Sequence, residues 1–474
     1  MVFSSTIFLV YFFPFFLLFY YLADKKYKNY VALVASIFFY AWGAPKFIFV
    51  VIASIFADFY IVKEMFKSQN PKHKKLWVSI SVALNIGLLV YFKYSNFFVE
   101  NFNVILQAIG FKAVHFTKLV LPIGISFFTF QKFTYAIDVY RGKYQPLEKL
   151  TDLCLYILLF PQLIAGPIVR YSEIADQLVD REKYENIDNK LIGFYRFVIG
   201  LAKKVLIANV VGAEADRIFS MDPQTMNSGL AWLGLMAYTF QIYFDFSGYS
   251  DMAIGIGRMI GFKFPENFNS PYVSQSITEF WRRWHITLGR WMRDYLYIPL
   301  GGNRVNTKFR LYFNLWFVFL VSGLWHGANW TFVIWGAYHG LFLILDRLFL
   351  VRLLEKTSKV LRIILTFFIA SLGWVLFRSE TLKYALSFYK KLFEFKFSGI
   401  GYVDPEVITI MIVAAIFAFF VSVKPGEKIM EKVFFDNYTL KRHLVMSTIV
   451  FLLFVISLAS IVSSGFNPFI YFRF

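Results

Sequence analysis

One histidine lies within a long uncharged stretch of the chain. Between Arg310 and Asp346, 35 consecutive residues include no Asp, Glu, Lys or Arg. A straight helix of that length would extend about 50 Å, which exceeds the roughly 30 Å hydrocarbon core of a bilayer. The stretch must therefore break or fold back. The expected break is at Gly323 and Gly327, which lie on either side of His326.

The type and position of His326 point to proton transfer. It lies 16 residues after the nearest upstream charge and 20 before the nearest downstream one, so it is expected at membrane depth. An ionisable side chain at that depth is a functional candidate. Imidazole can take a proton from a hydroxyl near neutral pH, as attack on a thioester requires. The alternative is a neutral histidine hydrogen-bonded inside a helix bundle, and position alone supports both interpretations equally.

A basic and aromatic segment precedes this histidine. Seven Lys and Arg residues occur from Arg282 to Arg310, and tryptophans and His285 are interleaved with them. This composition suits a membrane interface, where indole rings lie at headgroup level and guanidinium groups reach phosphates. It equally suits a cytoplasmic entrance that binds a phosphate-rich donor. Both interpretations stay open at this point.

Other residues of chemical interest have simpler interpretations. His339 follows His326 by 13 residues, whereas paired metal ligands on one helix face need a spacing of three or four, so no metal site is expected. Cys154, the only cysteine, lies in an apolar stretch and is expected to pack as a small apolar side chain. Asp251 follows a glycine near the end of an apolar run and is expected to cap the next helix.

The elements that must position these residues are membrane helices. The chain is 58% hydrophobic and 21% aromatic but only 17% charged, against about 25% charged residues in a soluble domain. A soluble globular enzyme is therefore excluded. The net charge of +19 comes from Lys and Arg between the apolar runs, so it predicts cytoplasmic loops and contact with membrane lipids rather than nucleic acid. We predict a single membrane domain over residues 1–474.

Thirteen apolar runs are candidate membrane spans or re-entrant segments. The Lys-rich loops at 24–28 and 63–75 should face the cytoplasm, which places the N-terminus outside. If every following run crossed the membrane, the basic residues of 281–310 would lie outside, where positive loops are not expected. One intervening segment must therefore enter and leave on the same face. Residues 150–167 are the expected re-entrant segment, because their prolines break a helix. Both termini are then predicted to lie outside.

Six motifs follow one another along nearly the whole chain. They are MVFSS at 1–5, FYAWG at 39–43, FPQLIAGPI at 160–168, FDFSGYSD at 244–251, FWRRWH at 280–285 and GLWHG at 323–327. Together they resemble the membrane-bound O-acyltransferase superfamily, specifically its bacterial branch of alginate and peptidoglycan O-acetyltransferase membrane subunits. The resemblance implies an all-α polytopic membrane protein with about 11–13 transmembrane or re-entrant helices around a central funnel or tunnel.

The resemblance also implies roles for individual residues. His326 corresponds to the family's catalytic histidine, and His285 to a polar position with a supporting or catalytic role. The implied acyl donor is cytoplasmic acetyl-CoA, with no metal. The implied function is O-acetylation of an exported polysaccharide, with peptidoglycan as the expected acceptor and alginate or another exopolysaccharide as the alternative. The donor's phosphates are expected to be held by some of Arg282, Arg283, Arg290 and Arg293.

The C-terminal aromatic motif, residues 466–474, resembles a short terminal motif of the same branch. It also resembles a small partner peptide of the related D-alanyl-transfer system, in which a tyrosine is proposed to carry the acyl group outward. That tyrosine corresponds to Tyr471, whose alternative role is an aromatic anchor at headgroup level. The resemblance further implies location in the cytoplasmic (inner) membrane. The implied partner is a separate exported, SGNH-hydrolase-like O-acetyltransferase in the periplasm.

Two other functions are considered. A D-alanyl transferase acting on teichoic acids would use a separate tail peptide, whereas here the tail motif is part of the chain. A transporter of ions or lipids is supported only by the many spans and the polar groups within them. Transfer of acetyl from labelled acetyl-CoA by the purified protein would separate an acyltransferase from a transporter.

Overall fold

The structure is a computed structural model that describes residues 1–164, 166–397, 403–435 and 438–465. The chain forms two compact units, one of Met1–Lys190 with Ile256–Pro265 and the other of Leu191–Gly255 with the chain from Glu266 onward. The helices that begin in the first unit are α1 (Phe13–Leu22), α2 (Lys28–Gly43), α3 (Phe47–Lys67), α4 (Pro71–Leu89), α5 (Ser95–Ala108), α6 (Ile125–Tyr140), α7 (Leu150–Leu158), α8 (Phe160–Leu163), α9 (Tyr171–Val179) and α10 (Ile187–Ala202).

The second unit contains the segments that carry both predicted histidines. Its helices are α11 (Asn209–Phe219), α12 (Ser228–Met259, whose last turn belongs to the first unit), α13 (Ile277–Arg283), α14 (Ile286–Met292), α15 (Lys308–His326), α16 (Trp330–Leu345), α17 (Val351–Glu355), α18 (Lys359–Arg378), α19 (Leu382–Leu392), α20 (Pro405–Phe419), α21 (Lys424–Phe434) and α22 (Leu440–Ser463).

Among the described residues, five helical stretches are long and apolar enough to cross a bilayer. The prediction of an all-α polytopic membrane protein is confirmed. Other predicted spans form shorter helices: α2 and α6 have 16 residues each, or about 24 Å at 1.5 Å per residue. The central funnel, the single domain and the placement of the termini stay predictions. The five stretches are Pro71–Ala108, Trp330–Glu355, Lys359–Arg378, Pro405–Ser422 and Leu440–Ser463.

The helices break at two of the places where proline or glycine predicted a break. α7 ends at Leu158 and α8 begins at Phe160, directly before Pro161. With nine residues, α7 extends only about 13 Å. α15 ends at His326 and α16 begins at Trp330, so the predicted break at the histidine is confirmed. Entry and exit of 150–167 on one membrane face stays a prediction.

A side-chain cap fixes where the helix after the histidine begins. The Oδ1 atom of Asn329 accepts a hydrogen bond from the backbone N–H of Thr331 at 3.1 Å. Such a cap typically stabilises a helix start by about 1 kcal/mol. Because Asn329 starts the new helix three residues after His326, the connection is short and the imidazole lies at a helix end.

Glycines allow α15 and α16 to pack backbone against backbone. A Cβ atom on Gly323 would lie 2.2 Å from the carbonyl oxygen of Phe332, and one on Gly336 would lie 2.4 Å from that of Phe319. Both separations are too short for any side chain, so the contact depends on small residues, as in many membrane helix pairs. This contact holds the end of α15, with His326, against α16.

The prediction that Asp251 caps a helix is wrong. α12 is a continuous helix of 32 residues, and Asp251 lies within it. Gly248 does not end the helix, because its role is a close helix contact: a Cβ atom there would lie 2.7 Å from the carbonyl oxygen of Gly200 on α10. Asp251 instead accepts hydrogen bonds from Arg196 at 2.8 Å and Lys203 at 2.7 Å.

Candidate active site

His326 is the last residue of α15 and is 7% exposed. Its ring contacts three aromatic rings: the centroids lie 4.9 Å from Trp325, 5.2 Å from Trp335 on α16 and 5.2 Å from Phe377 on α18. The carbonyl end of a helix favours positive charge. The helix end therefore stabilises the imidazolium that forms when this ring accepts a proton, while the aromatic rings exclude water from one side of it.

His285 lies beside His326, although it comes 41 positions earlier in the sequence. The two ring centroids are 6.4 Å apart, and His285 is 1% exposed. Its backbone has a φ of 45°, in the left-handed region, which histidine adopts more readily than most residues. The structure thus brings together the two histidines that the sequence analysis selected. Their catalytic roles stay predictions.

The environment of His285 favours a neutral ring. The residue lies between α13 and α14, outside the five bilayer-length helices. Burial lowers the pKa of His285 to about 3, because a charged ring would lose its hydration. At physiological pH one ring nitrogen therefore carries hydrogen and the other a lone pair. The ring of Phe246 covers it at a centroid distance of 4.8 Å.

Contacts with α16 position α13, the helix before His285. Near the end of α16, Asp346 Oδ2 accepts hydrogen bonds from the backbone N–H of Thr278 at 2.7 Å and from its hydroxyl at 2.8 Å. The ring of Trp281 packs edge-on against that of Trp335, 5.5 Å away. Because Trp335 also contacts His326, α16 supports both His326 and α13, the helix that precedes His285.

Asn267 contacts the His285 ring, and the sequence analysis did not identify it. Its Oδ1 atom lies 3.0 Å from His285 Nδ1 and 2.8 Å from Thr287 Oγ1. The residue is fully buried. Its only sequence signal is a polar side chain in a loop that leads to Pro271, and asparagines in such loops usually form turns. The fold alone shows that this one faces a histidine.

The four arginines predicted to bind the donor have different surroundings. Arg283 pairs with Glu279 at 2.8 Å, and Arg293 pairs with the adjacent aspartate at 2.7 Å. Arg282 and Arg290 have exposed side chains. Arg283 and Arg293 are thus engaged by carboxylates of the same chain. Donor binding by any of them stays a prediction.

Three other predictions concern Tyr471, His339 and Cys154. Tyr471 lies outside the described residues, so its role as an acyl carrier stays a prediction. His339 is fully buried, with its ring against those of Trp281 and Trp335. Cys154 is half-buried in α7. Within the described part of the chain, no group of three or more His, Cys, Asp or Glu side chains could hold a metal ion.

Comparisons with known proteins identify the family of the chain. The model of the membrane-bound O-acyltransferase (MBOAT) family matches residues 4–387. A probable alginate O-acetylase of Pseudomonas aeruginosa is 45% identical over 396 residues, covering 83% of this chain and 75% of the relative. The peptidoglycan O-acetyltransferase of Helicobacter pylori is 40% identical over 424 residues, covering 82% and 79%. The teichoic acid D-alanyltransferase of Bacillus subtilis is 30% identical over 286 residues, covering 56% and 70%.

Proposed function

The chain belongs to the membrane-bound O-acyltransferase family, and we propose that it takes acetyl from cytoplasmic acetyl-CoA and passes it across the membrane to O-acetylate an exported polysaccharide. The observation that carries the proposal is the pairing of His326 and His285, with their ring centroids 6.4 Å apart. The greater similarity to two kinds of polysaccharide O-acetyltransferase than to a D-alanyltransferase supports acetyl as the group.

The proposed reaction uses His326 as the general base. His326 removes the proton of an acceptor hydroxyl, and the resulting oxygen nucleophile attacks the carbonyl carbon of the acetyl thioester. The carbon–sulfur bond then breaks, and the leaving CoA thiolate takes a proton from the imidazolium of His326. The products are an acetyl ester on the acceptor and free CoA. Tyr471 is the proposed acceptor hydroxyl within this chain.

Transfer to the polysaccharide needs a second protein in this proposal. An exported, SGNH-hydrolase-like acetyltransferase would take the acetyl group at the outer face of the cytoplasmic membrane and esterify the polymer. The proposed topology has both termini outside, which would bring residues 466–474 to that face. The basic residues of 282–310 would then lie on the cytoplasmic side, where the donor enters.

A deletion strain tests the function and assigns the acceptor. Base-labile acetate should fall on one polymer when purified peptidoglycan and exopolysaccharide are assayed from the deletion and the parent strains. Loss from peptidoglycan is the expectation from the sequence motifs, whereas the similarity to the probable alginate O-acetylase of Pseudomonas aeruginosa favours loss from an alginate-like exopolysaccharide. Complementation with the natural gene should restore the acetate. Unchanged acetate on both polymers would contradict the proposed function.

Arg282 is expected to contribute more than Arg283 to donor binding. Arg283 is held by Glu279 and lines a cavity of about 490 Å³ with Glu427 and Glu431, carboxylates that repel phosphates. Arg282→Gln should raise the KM for acetyl-CoA about tenfold with little change in kcat, because one charge-assisted hydrogen bond to the donor is lost.

Steady-state kinetics of the purified protein would measure this difference, and Arg283→Gln is the matched control from the same helix. The control should change the KM for acetyl-CoA less than Arg282→Gln does. A larger effect of Arg283→Gln, or a fall in kcat alone for Arg282→Gln, would show that Arg282 does not bind the donor.

A further inference from the structure

We propose that Asn267 is a positioning residue that holds His285 as the tautomer with hydrogen on Nδ1, so that Nε2 carries the lone pair. The inference rests on the proposed acyl transfer, because it specifies what His285 can do in that reaction. A neutral ring held in this way accepts a hydrogen bond through Nε2 and cannot donate from it. His285 then assists proton removal and does not stabilise the oxyanion of the tetrahedral intermediate.

The orientation of the Asn267 amide follows from its other neighbours. The backbone N–H of Thr287 can only donate, and it lies 3.4 Å from Asn267 Oδ1, which the Thr287 hydroxyl also approaches at 2.8 Å. The opposite end of the amide, Nδ2, donates to Ser250 Oγ at 3.0 Å. The atom 3.0 Å from His285 Nδ1 is therefore an acceptor, which requires the hydrogen to lie on Nδ1.

The backbone of Asn267 holds the same segment. Its carbonyl oxygen accepts a hydrogen bond from the N–H of Ile286 at 2.9 Å. His285, the residue before, has φ 45° and ψ 52°, which is a strained conformation for a residue other than glycine and persists only where surrounding contacts fix it. Asn267 thus fixes both the direction of the backbone at His285 and the orientation of its ring.

The titratable groups near Asn267 and His285 are His326, Glu266 and Asp251. The titratable group that faces His285 from another helix is His326, within 6.4 Å between centroids. The residue before Asn267, Glu266, and Asp251 on α12 are both hydrogen-bonded to Arg196. Lys203 also pairs with Asp251, so two positive charges balance these two carboxylates. At His285 Nδ1 the contact is the Asn267 amide oxygen.

Nitrogen NMR tests the tautomer without requiring any reaction. In the purified full-length protein labelled with ¹⁵N-histidine, His285 should show a protonated Nδ1 and an unprotonated Nε2 at neutral pH, with its signals assigned from the spectrum of His285→Gln. Thr287→Val, which removes the hydroxyl that also donates to Asn267 Oδ1, should keep this pattern. A protonated Nε2 in the natural protein would overturn the proposal, whatever the result of any activity assay.

The pH dependence of acetyl transfer tests the consequence. Asn267→Asp should raise the pKa of His285, because a carboxylate then faces Nδ1 and stabilises the charged ring. Below that pKa Nε2 becomes a donor, so kcat should fall at acidic pH and approach that of the natural protein at alkaline pH, with the KM for acetyl-CoA unchanged. A profile identical to the natural one, or activity highest at acidic pH, would also overturn the proposal. If the natural protein transfers no acetyl at all, the proposed function fails while the NMR result still decides the tautomer.

Discussion

His326→Ala is expected to lower kcat for acetyl transfer by about 10²- to 10⁴-fold, the usual contribution of a general base. The imidazole at the end of α15 is the group proposed to take a proton from the acceptor hydroxyl, and the rings of Trp325, Trp335 and Phe377 that pack against it are not bases. His326→Gln should lose as much activity, since an amide fills similar space but cannot accept a proton near neutral pH. Single-turnover transfer from labelled acetyl-CoA measures the effect.

The control for this prediction is a histidine outside the site. His73 lies exposed near the start of α4, and His73→Gln should transfer acetyl at the rate of the natural protein. All variants must be compared at equal amounts of folded protein, judged by size-exclusion chromatography in detergent. Acetyl transfer by His326→Gln at the natural rate would remove His326 from the mechanism.

Asp58→Asn is expected to destabilise the protein by about 3–5 kcal/mol, because it leaves a buried lysine without its counter-charge. Lys132 on α6 lies 3.6 Å from Asp58 on α3, and the side chains are 1% and 0% exposed. Ser81 and Asn85 on α4 also donate hydrogen bonds to this carboxylate, at 2.6 Å and 2.8 Å. The carboxylate of Asp58 thus connects three helices of the first unit, by an ion pair to α6 and hydrogen bonds to α4.

The double variant Asp58→Asn with Lys132→Met is the matched control. It removes both charges and keeps hydrogen-bonding groups for Ser81 and Asn85, so it should recover most of the lost stability. The midpoint of thermal unfolding in detergent, followed for both variants and the natural protein, measures the difference. Equal midpoints for the single variant and the natural protein would show that the pair does not stabilise the fold.

The fold class was predictable because its signals are local. Hydropathy and low charge identify membrane helices without any knowledge of their neighbours. Proline and glycine likewise predict local breaks, and the breaks before Pro161 and after His326 are where the structure has them. The same reasoning was wrong at Gly248, since a glycine that ends a helix and one that permits a close helix contact are indistinguishable until the neighbouring helix is known.

The sequence by itself determined that this is a helical membrane protein, that a helix ends at His326, and that the motifs resemble one family. Only the tertiary structure decided which groups meet: His285 beside His326, Asn267 on the His285 ring, and Lys132 beside Asp58. The physical reason is the distance along the chain over which each effect acts. Hydropathy and helix breaking depend on adjacent residues, whereas the partner of a buried polar group is chosen by how distant helices pack.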